Sequence, residues 1–168
     1  SSRIQYGARE REEIGRASGR GGSVRAAVKG GWGFFSFNDT DDLESRVKLA
    51  VEQAKAVGSE KTELADTEPS VADVPPVLVN DPGNISLSDK KDRMDHYNDL
   101  IWSTPGIQSS TVIYGDNKRR VHYVNSEGAA VDQEFVHVIC YVSAVARDGG
   151  DVQQAGFSIG SLGDYELV

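Results

Sequence analysis

At 168 residues with 38% hydrophobic content, the chain has room for one medium or two small packed domains. Eighteen basic against 26 acidic side chains give a formal charge of −8 and a pI near 4.9, which argues against general affinity for DNA or anionic membranes, since both repel an acidic surface. The single cysteine, Cys140, excludes an intrachain disulfide, and its apolar surroundings in the sequence predict a buried, inert thiol in a reducing compartment.

No run of eighteen apolar residues occurs and no charged-then-apolar leader opens the chain, so neither a membrane span nor a signal peptide is expected, and the predicted location is cytoplasmic. Asn84-Ile85-Ser86 fits a glycosylation sequon, a pattern too common to carry weight without secretion. The start at Ser1 and the stop at Val168 without a polar tail predict a piece of a longer polypeptide.

Arg3 to Ile14 reads as a strand and Gly15 to Gly22 as a loop rich in glycine and arginine. Ser23 to Lys29 and Trp32 to Phe37 then form a hairpin about a Gly30-Gly31 turn. No Gly-Lys-Ser/Thr follows any glycine run, so nucleotide binding has little support. A helix is expected near Asp41, with Asn38, Asp39 and Thr40 as candidate caps and Gly58 as the stop. Its apolar stripe is Leu43, Val47, Ala50, Val51, Ala54 and Val57, at helical spacing.

Residues 59 to 86 are polar and proline-bearing and read as a linker with at most one short strand at Val77-Leu78-Val79. Ser88 to Trp102 is a second helix, capped by Ser88 or Ser86, with Leu87, Met94, Tyr97, Leu100 and Ile101 on its apolar side. Four strands follow over Ile107 to Tyr114, Arg119 to Asn125, Ala130 to Ala146 and Val152 to Gly160. Turns are expected at 115–117, 125–128 and 148–150. Phe135 to Val142 is apolar on both faces apart from His137, which makes it the central, most buried strand.

The sum is an α+β protein. A β-β-β-α amino-terminal unit over 1–58, its helix packed on an antiparallel sheet, precedes the linker. A middle domain over 87–168, a helix followed by an antiparallel β-meander, is truncated at its carboxy end. Residues 1 to 38 carry seven basic and three acidic side chains and residues 39 to 100 seven and fifteen, so the first sheet is locally cationic.

Chemistry-bearing patterns are sparse. In Asn125-Ser126-Glu127-Gly128, Asn first and Gly last are the preferences of a type I turn, against a competing reading of Glu127 as a base or ligand. A hairpin closing there has a pairing sum of 253 or 254. That sets His122 opposite residue 131 or 132 and His137 opposite 116 or 117, so the two histidines do not meet across it. His96 falls on the polar side of its helix beside Asp92 and Asp95. No His-Glu pair occurs anywhere.

Two segments carry a resemblance. Val121-His122-Tyr123-Val124-Asn125-Ser126-Glu127-Gly128 is similar to the Y-x-N-S-E-G element of the TldD/PmbA family, candidate modulators of DNA gyrase whose active members are zinc metallopeptidases. Upstream, three stretches resemble the family's opening domain: Gly22-Ser23-Val24-Arg25, then Gly31-Trp32-Gly33-Phe34-Phe35-Ser36, then Asp42-Leu43 leading to Ala50-Val51 and Ala54.

The resemblance implies a protein of proteolysis acting on flexible peptides, assembled as a homodimer or with a related TldD/PmbA-type subunit. Its zinc sits in a helical His-Glu-x-x-x-His motif that this chain lacks. The expectation is therefore a non-catalytic scaffold, inactive alone. It holds no catalytic or metal residue, and Asn125, Ser126, Glu127, Gly128, Gly31 and Gly33 are structural members of the family motif. The alternative is a stand-alone binding module whose cationic first sheet and Arg/Gly loop hold an acidic partner or nucleic acid.

Overall fold

The computed structural model describes residues 1–59 and 64–168. In chain order the strands and helices are β1 (Ser2–Gly7), β2 (Glu10–Arg16), β3 (Gly22–Val28), β4 (Gly31–Phe37), α1 (Leu43–Val57), β5 (Val71–Val74), α2 (Leu87–Trp102), β6 (Ile107–Val124), β7 (Ala130–Asp148) and β8 (Asp151–Ser161). The fold is α+β, with strands then a helix, then a helix and a meander. Contacts group residues 18–68 as one unit and residues 1–17 with 69–168 as the other. Positions 60–63 of the expected linker lie outside the described residues.

In the smaller unit, β3 and β4 pair antiparallel from Gly22↔Phe37 to Val28↔Gly31. The turn is Lys29-Gly30, both left-handed at φ 49° and 81°, a primed turn whose twist suits the hairpin, one residue earlier than expected. Helix α1 packs on this hairpin almost backbone to backbone. A β-carbon on Gly33 would lie 1.8 Å from the Ala50 carbonyl oxygen, and one on Gly31 2.2 Å from that of Ala54. Ala50 and Ala54 are fully buried. The helix begins at Leu43 after a left-handed Asp42. No side chain caps the helix; Asp39, one of the expected caps, accepts instead from Asp41 N–H at 3.1 Å and from Arg46 at 2.5 Å.

The larger unit is a sheet ordered β2-β1-β6-β7-β5, with β8 also on β7. Helix α2 covers one face. Ile4, Tyr6, Val112, Tyr114, Val138 and Cys140 from the strands meet Met94 from the helix and Tyr165 and Val168 from the carboxy end. A fully buried side chain of this size contributes roughly 1.5–3 kcal/mol. Ser86 caps α2, its Oγ accepting from Asp89 N–H at 3.0 Å and donating to the Asp89 carboxylate at 2.7 Å.

Four sequence expectations are corrected. The single strand over Arg3 to Ile14 is two, β1 and β2, folded at Ala8, whose φ is 54°. β1 pairs with β6, from Ser2↔Asp116 to Gly7↔Thr111, because Ile4 and Tyr6 complete the core under α2. The strand expected at Val77-Leu78-Val79 is absent, with Val77 95% exposed. Its place is taken by β5, parallel to β7 from Val71↔Ala130 to Val74↔Gln133. The turn expected at 115–117 does not form either, and β6 runs unbroken through it. Finally, β7 is central, but only Val136, Val138 and Cys140 of its apolar stretch are buried, while Ile139 on the opposite face is 51% exposed.

Candidate functional site

The β6–β7 hairpin closes on Asn125. Its side-chain Oδ1 accepts from Glu127 N–H at 3.1 Å and Ala129 N–H at 2.8 Å. Its carbonyl accepts from Gly128 N–H at 3.4 Å, and its own N–H donates to the Ala129 carbonyl at 3.1 Å. Gly128 has φ 96°, a conformation that a β-carbon strains. Ser126 and Glu127 are exposed at the tip, where Glu127 supplies its backbone N–H to the turn.

The register that follows sums to 254, with His122↔Asp132 and Asn117↔His137. His122 Nδ1 lies 3.3 Å from the Asp132 carboxylate. Arg120 takes that carboxylate more firmly, through Nε at 2.9 Å and Nη2 at 2.5 Å. The Arg120 hydrogen bonds hold the Asp132 carboxyl below its ordinary range. Lys118 extends the ladder to Glu134 at 2.9 Å and Asp81 at 3.3 Å. These pairs order the hairpin arm and leave His122 exposed.

The other candidates do not converge. His96 is exposed on α2 and His137 on β7, while Cys140 is buried in the core, where desolvation pushes its thiol up, away from the reactive thiolate. Among the described residues no group of three His, Cys, Asp or Glu side chains could hold a metal ion, so the residues present do not fit the zinc site that the resemblance implies. In the Arg/Gly loop, Arg16 belongs to β2 and donates to the Ile85 carbonyl at 3.0 Å.

The most developed polar centre was not anticipated from the sequence. Lys90 Nζ, on a residue 1% exposed, lies 2.6 Å from the Asp116 carboxylate and 3.2 Å from Ser2 Oγ. Asp116 also accepts from Tyr114 O–H at 2.8 Å, Ser2 N–H at 3.1 Å and Ser2 O–H at 3.2 Å. Burial alone would raise the Asp116 carboxyl, but the hydrogen bonds from Lys90 and Tyr114 outweigh it and hold it below the ordinary range. The Tyr114 hydroxyl moves the other way, pushed up by burial and then by the hydrogen bond to Asp116. No buried polar side-chain atom among the described residues is left without a partner, and this centre fastens β1, β6 and α2 together. One signal could have found it: Lys90 stands on the apolar stripe Leu87, Lys90, Met94, Tyr97, Ile101, and a cation there requires a buried acid.

The segment after Gly149 acquires an anchor. The Asp164 carboxylate accepts from the backbone N–H groups of Val79 at 2.8 Å, Asn80 at 3.1 Å and Glu166 at 3.1 Å. It ties residues 79–80 to the carboxy-terminal turn, and these amides, Glu166 first, hold its carboxyl low.

Comparison with known proteins places these features. Residues 80–168 match the PmbA/TldA metallopeptidase central domain, and residues 8–57 match PmbA/TldA metallopeptidase domain 1. A metalloprotease of Synechocystis sp. is 36% identical over 156 residues, covering 92% of this chain and 34% of the relative. A metalloprotease of Methanocaldococcus jannaschii is 26% identical over 162 residues, 90% of this chain and 35% of that one. The chain thus spans about a third of the length of these relatives.

Among solved structures, a candidate modulator of a DNA gyrase from Thermotoga maritima superposes with a TM-score of 0.79 at 15% identity, over 99% of this chain and 38% of that one. TldE from Thermococcus kodakarensis gives 0.72 at 17% identity, over 95% and 37%. Two domain matches in chain order carry one conclusion: this chain belongs to the PmbA/TldD metallopeptidase family.

Proposed function

We propose that this chain is the non-catalytic amino-terminal and middle portion of a cytoplasmic PmbA/TldD-type protein, itself a zinc metallopeptidase or the metal-free partner of one. Its part in the proteolysis of flexible peptides is scaffold: it holds assembly with a second copy or a related subunit and helps enclose the substrate. One observation carries the reading. Domain 1 and the central domain account for residues 8–57 and 80–168, whereas the relatives named metalloproteases are about three times as long.

Zinc, where the parent protein uses it, is held by residues outside this chain, and the motif residues are structural: Asn125 closes its turn with its side-chain Oδ1, and Ser126, Glu127, Gly128, Gly31 and Gly33 act through backbone geometry. The test is zinc content after loading and exhaustive dialysis, with hydrolysis of an unstructured peptide assayed in parallel. The expected result is neither bound zinc nor cleavage by the 168-residue chain. Near-stoichiometric zinc, or peptide cleavage, overturns the reading.

A further inference from the structure

Strand β8 pairs with β7 along one side, from Asp148↔Asp151 to Val138↔Ser161, and no strand among the described residues lies along its other side. An exposed edge eleven residues long invites pairing, and natural edges are blunted by lysine, proline, bulges or short length. The sequence Asp-Val-Gln-Gln-Ala-Gly-Phe-Ser-Ile-Gly-Ser has none of these, and its register with β7 is unbroken. It also exposes Phe157 at 63% and Val152 at 53%.

Which partner fits is decided by charge and side-chain size. The chain carries a formal charge of −8, so two copies repel over most of their surface. Along β8 the only charge is Asp151. A two-fold axis through Gly156 lets β8 meet itself antiparallel over its whole length, because Gly156 is the midpoint of 151–161. That register sets Phe157 opposite Ala155 and Val152 opposite Gly160, large against small in each row. Asp151 falls opposite Ser161 and Gln154 opposite Ser158, with no like charges facing.

We propose that β8 is a self-association edge through which two copies join their sheets, centred on Gly156. The axis stands perpendicular to the sheet, so both copies keep α2 on the same side and residues facing each other share a face. This deepens the assembly reading above and rests on it.

The test uses charge pairs at two exposed positions on the face away from α2. In the full-length protein, Gln154→Glu/Ser158→Glu places acid opposite acid twice, and Gln154→Lys/Ser158→Lys places base opposite base twice. Sedimentation equilibrium should show a dimer for the parent protein and at least tenfold weaker association for each variant, with unchanged far-ultraviolet circular dichroism. An equimolar mixture of the two variants should restore the dimer, as a heterodimer of the two masses by native mass spectrometry. If one variant fails to fold, the other alone carries the test.

A parent dimer indifferent to both variants, or a mixture that stays monomeric, overturns the edge while leaving assembly standing. A monomeric parent overturns both. A monomer whose amides at 152–160 are protected from hydrogen exchange shows the edge taken by another segment of the full-length chain, which also overturns the proposal.

Discussion

Replacing Lys90 with methionine removes the cation from a buried carboxylate while keeping nearly the same side-chain volume. The side chains of Lys90 and Asp116 are 1% and 9% exposed, so solvent screens the pair little. Breaking one partner of a buried pair costs ~3–5 kcal/mol, because the remaining charge is left uncompensated. Asp116 keeps Tyr114 O–H at 2.8 Å and the Ser2 N–H at 3.1 Å, which places Lys90→Met near the low end, about 3 kcal/mol. For a unit of this size that is a fall in Tm of roughly 12 °C.

The chain has two units, so the assay must report on one. Trp102 lies in the larger and Trp32 in the smaller, and urea unfolding followed by fluorescence in a Trp32→Phe background isolates the larger. The pH dependence has a definite sign. In the parent chain Asp116 is held below its ordinary value, so its contribution is complete above about pH 4 and is lost as pH falls through the lowered folded value. In Lys90→Met burial acts on the carboxyl without an opposing cation, so its folded value moves up, and the variant's deficit shrinks as pH is lowered from 7. The double variant Lys90→Met/Asp116→Leu removes both charges and should lose less than Lys90→Met alone. A Lys90→Met deficit below about 1 kcal/mol at pH 7, or a double variant no better than the single, refutes the argument.

Two further outcomes follow from backbone geometry. Gly33→Ala drives a β-carbon to 1.8 Å from the Ala50 carbonyl oxygen, so α1 must lift from the hairpin, at a cost of about 3 kcal/mol or more to the smaller unit. Gly19→Ala, in the same unit and with nothing within 4 Å, is the control, and Trp32 fluorescence during urea unfolding in a Trp102→Phe background compares them; equal stabilities would contradict the close seat. Asn125→Ala removes both side-chain bonds of the β6–β7 turn and should cost about 1 kcal/mol per bond. Glu127→Ala, which leaves the turn's backbone bonds in place, should change thermal stability by less than about 0.5 kcal/mol. The reverse order of effects would restore a side-chain role for Glu127.

The local signals were legible where one residue type had one use. Asn125 and Gly128 announced a turn, and the turn set the register that brought His122 opposite Asp132. Ser86 announced α2, whereas of the stripe expected for α1 only Ala50 and Ala54 are buried, and Leu43, Val47 and Val57 are 43%, 44% and 65% exposed. The errors fell where a tertiary partner overrode a local preference. Gly115-Asp116-Asn117 reads as a turn because glycine, aspartate and asparagine suit turns in isolation. Here Gly115 pairs with both Arg3 and Ile139 across the sheet, and Asp116 accepts Lys90, so the strand continues. Ala8 carries no turn signal, yet the chain reverses there because Trp102 Nε1 donates to its carbonyl at 3.1 Å and Ala8 N–H donates to Ser110 at 2.8 Å.

What the sequence alone determined is the two helices, the β3–β4 hairpin, the turn at 125–128 and the family. Turns, caps and periodic stripes depend on residues a few positions apart, and those are printed side by side. Only the tertiary structure decided that β1 crosses to β6, that β5 lies parallel to β7, and that Lys90 and Asp116 meet. Each depends on long-range packing, whose energy lies in what surrounds a side chain rather than in what neighbours it along the chain. The open edge of β8 belongs to both: its single charge, Asp151, is in the sequence, and the absence of a second strand beside it among the described residues is visible only in the fold.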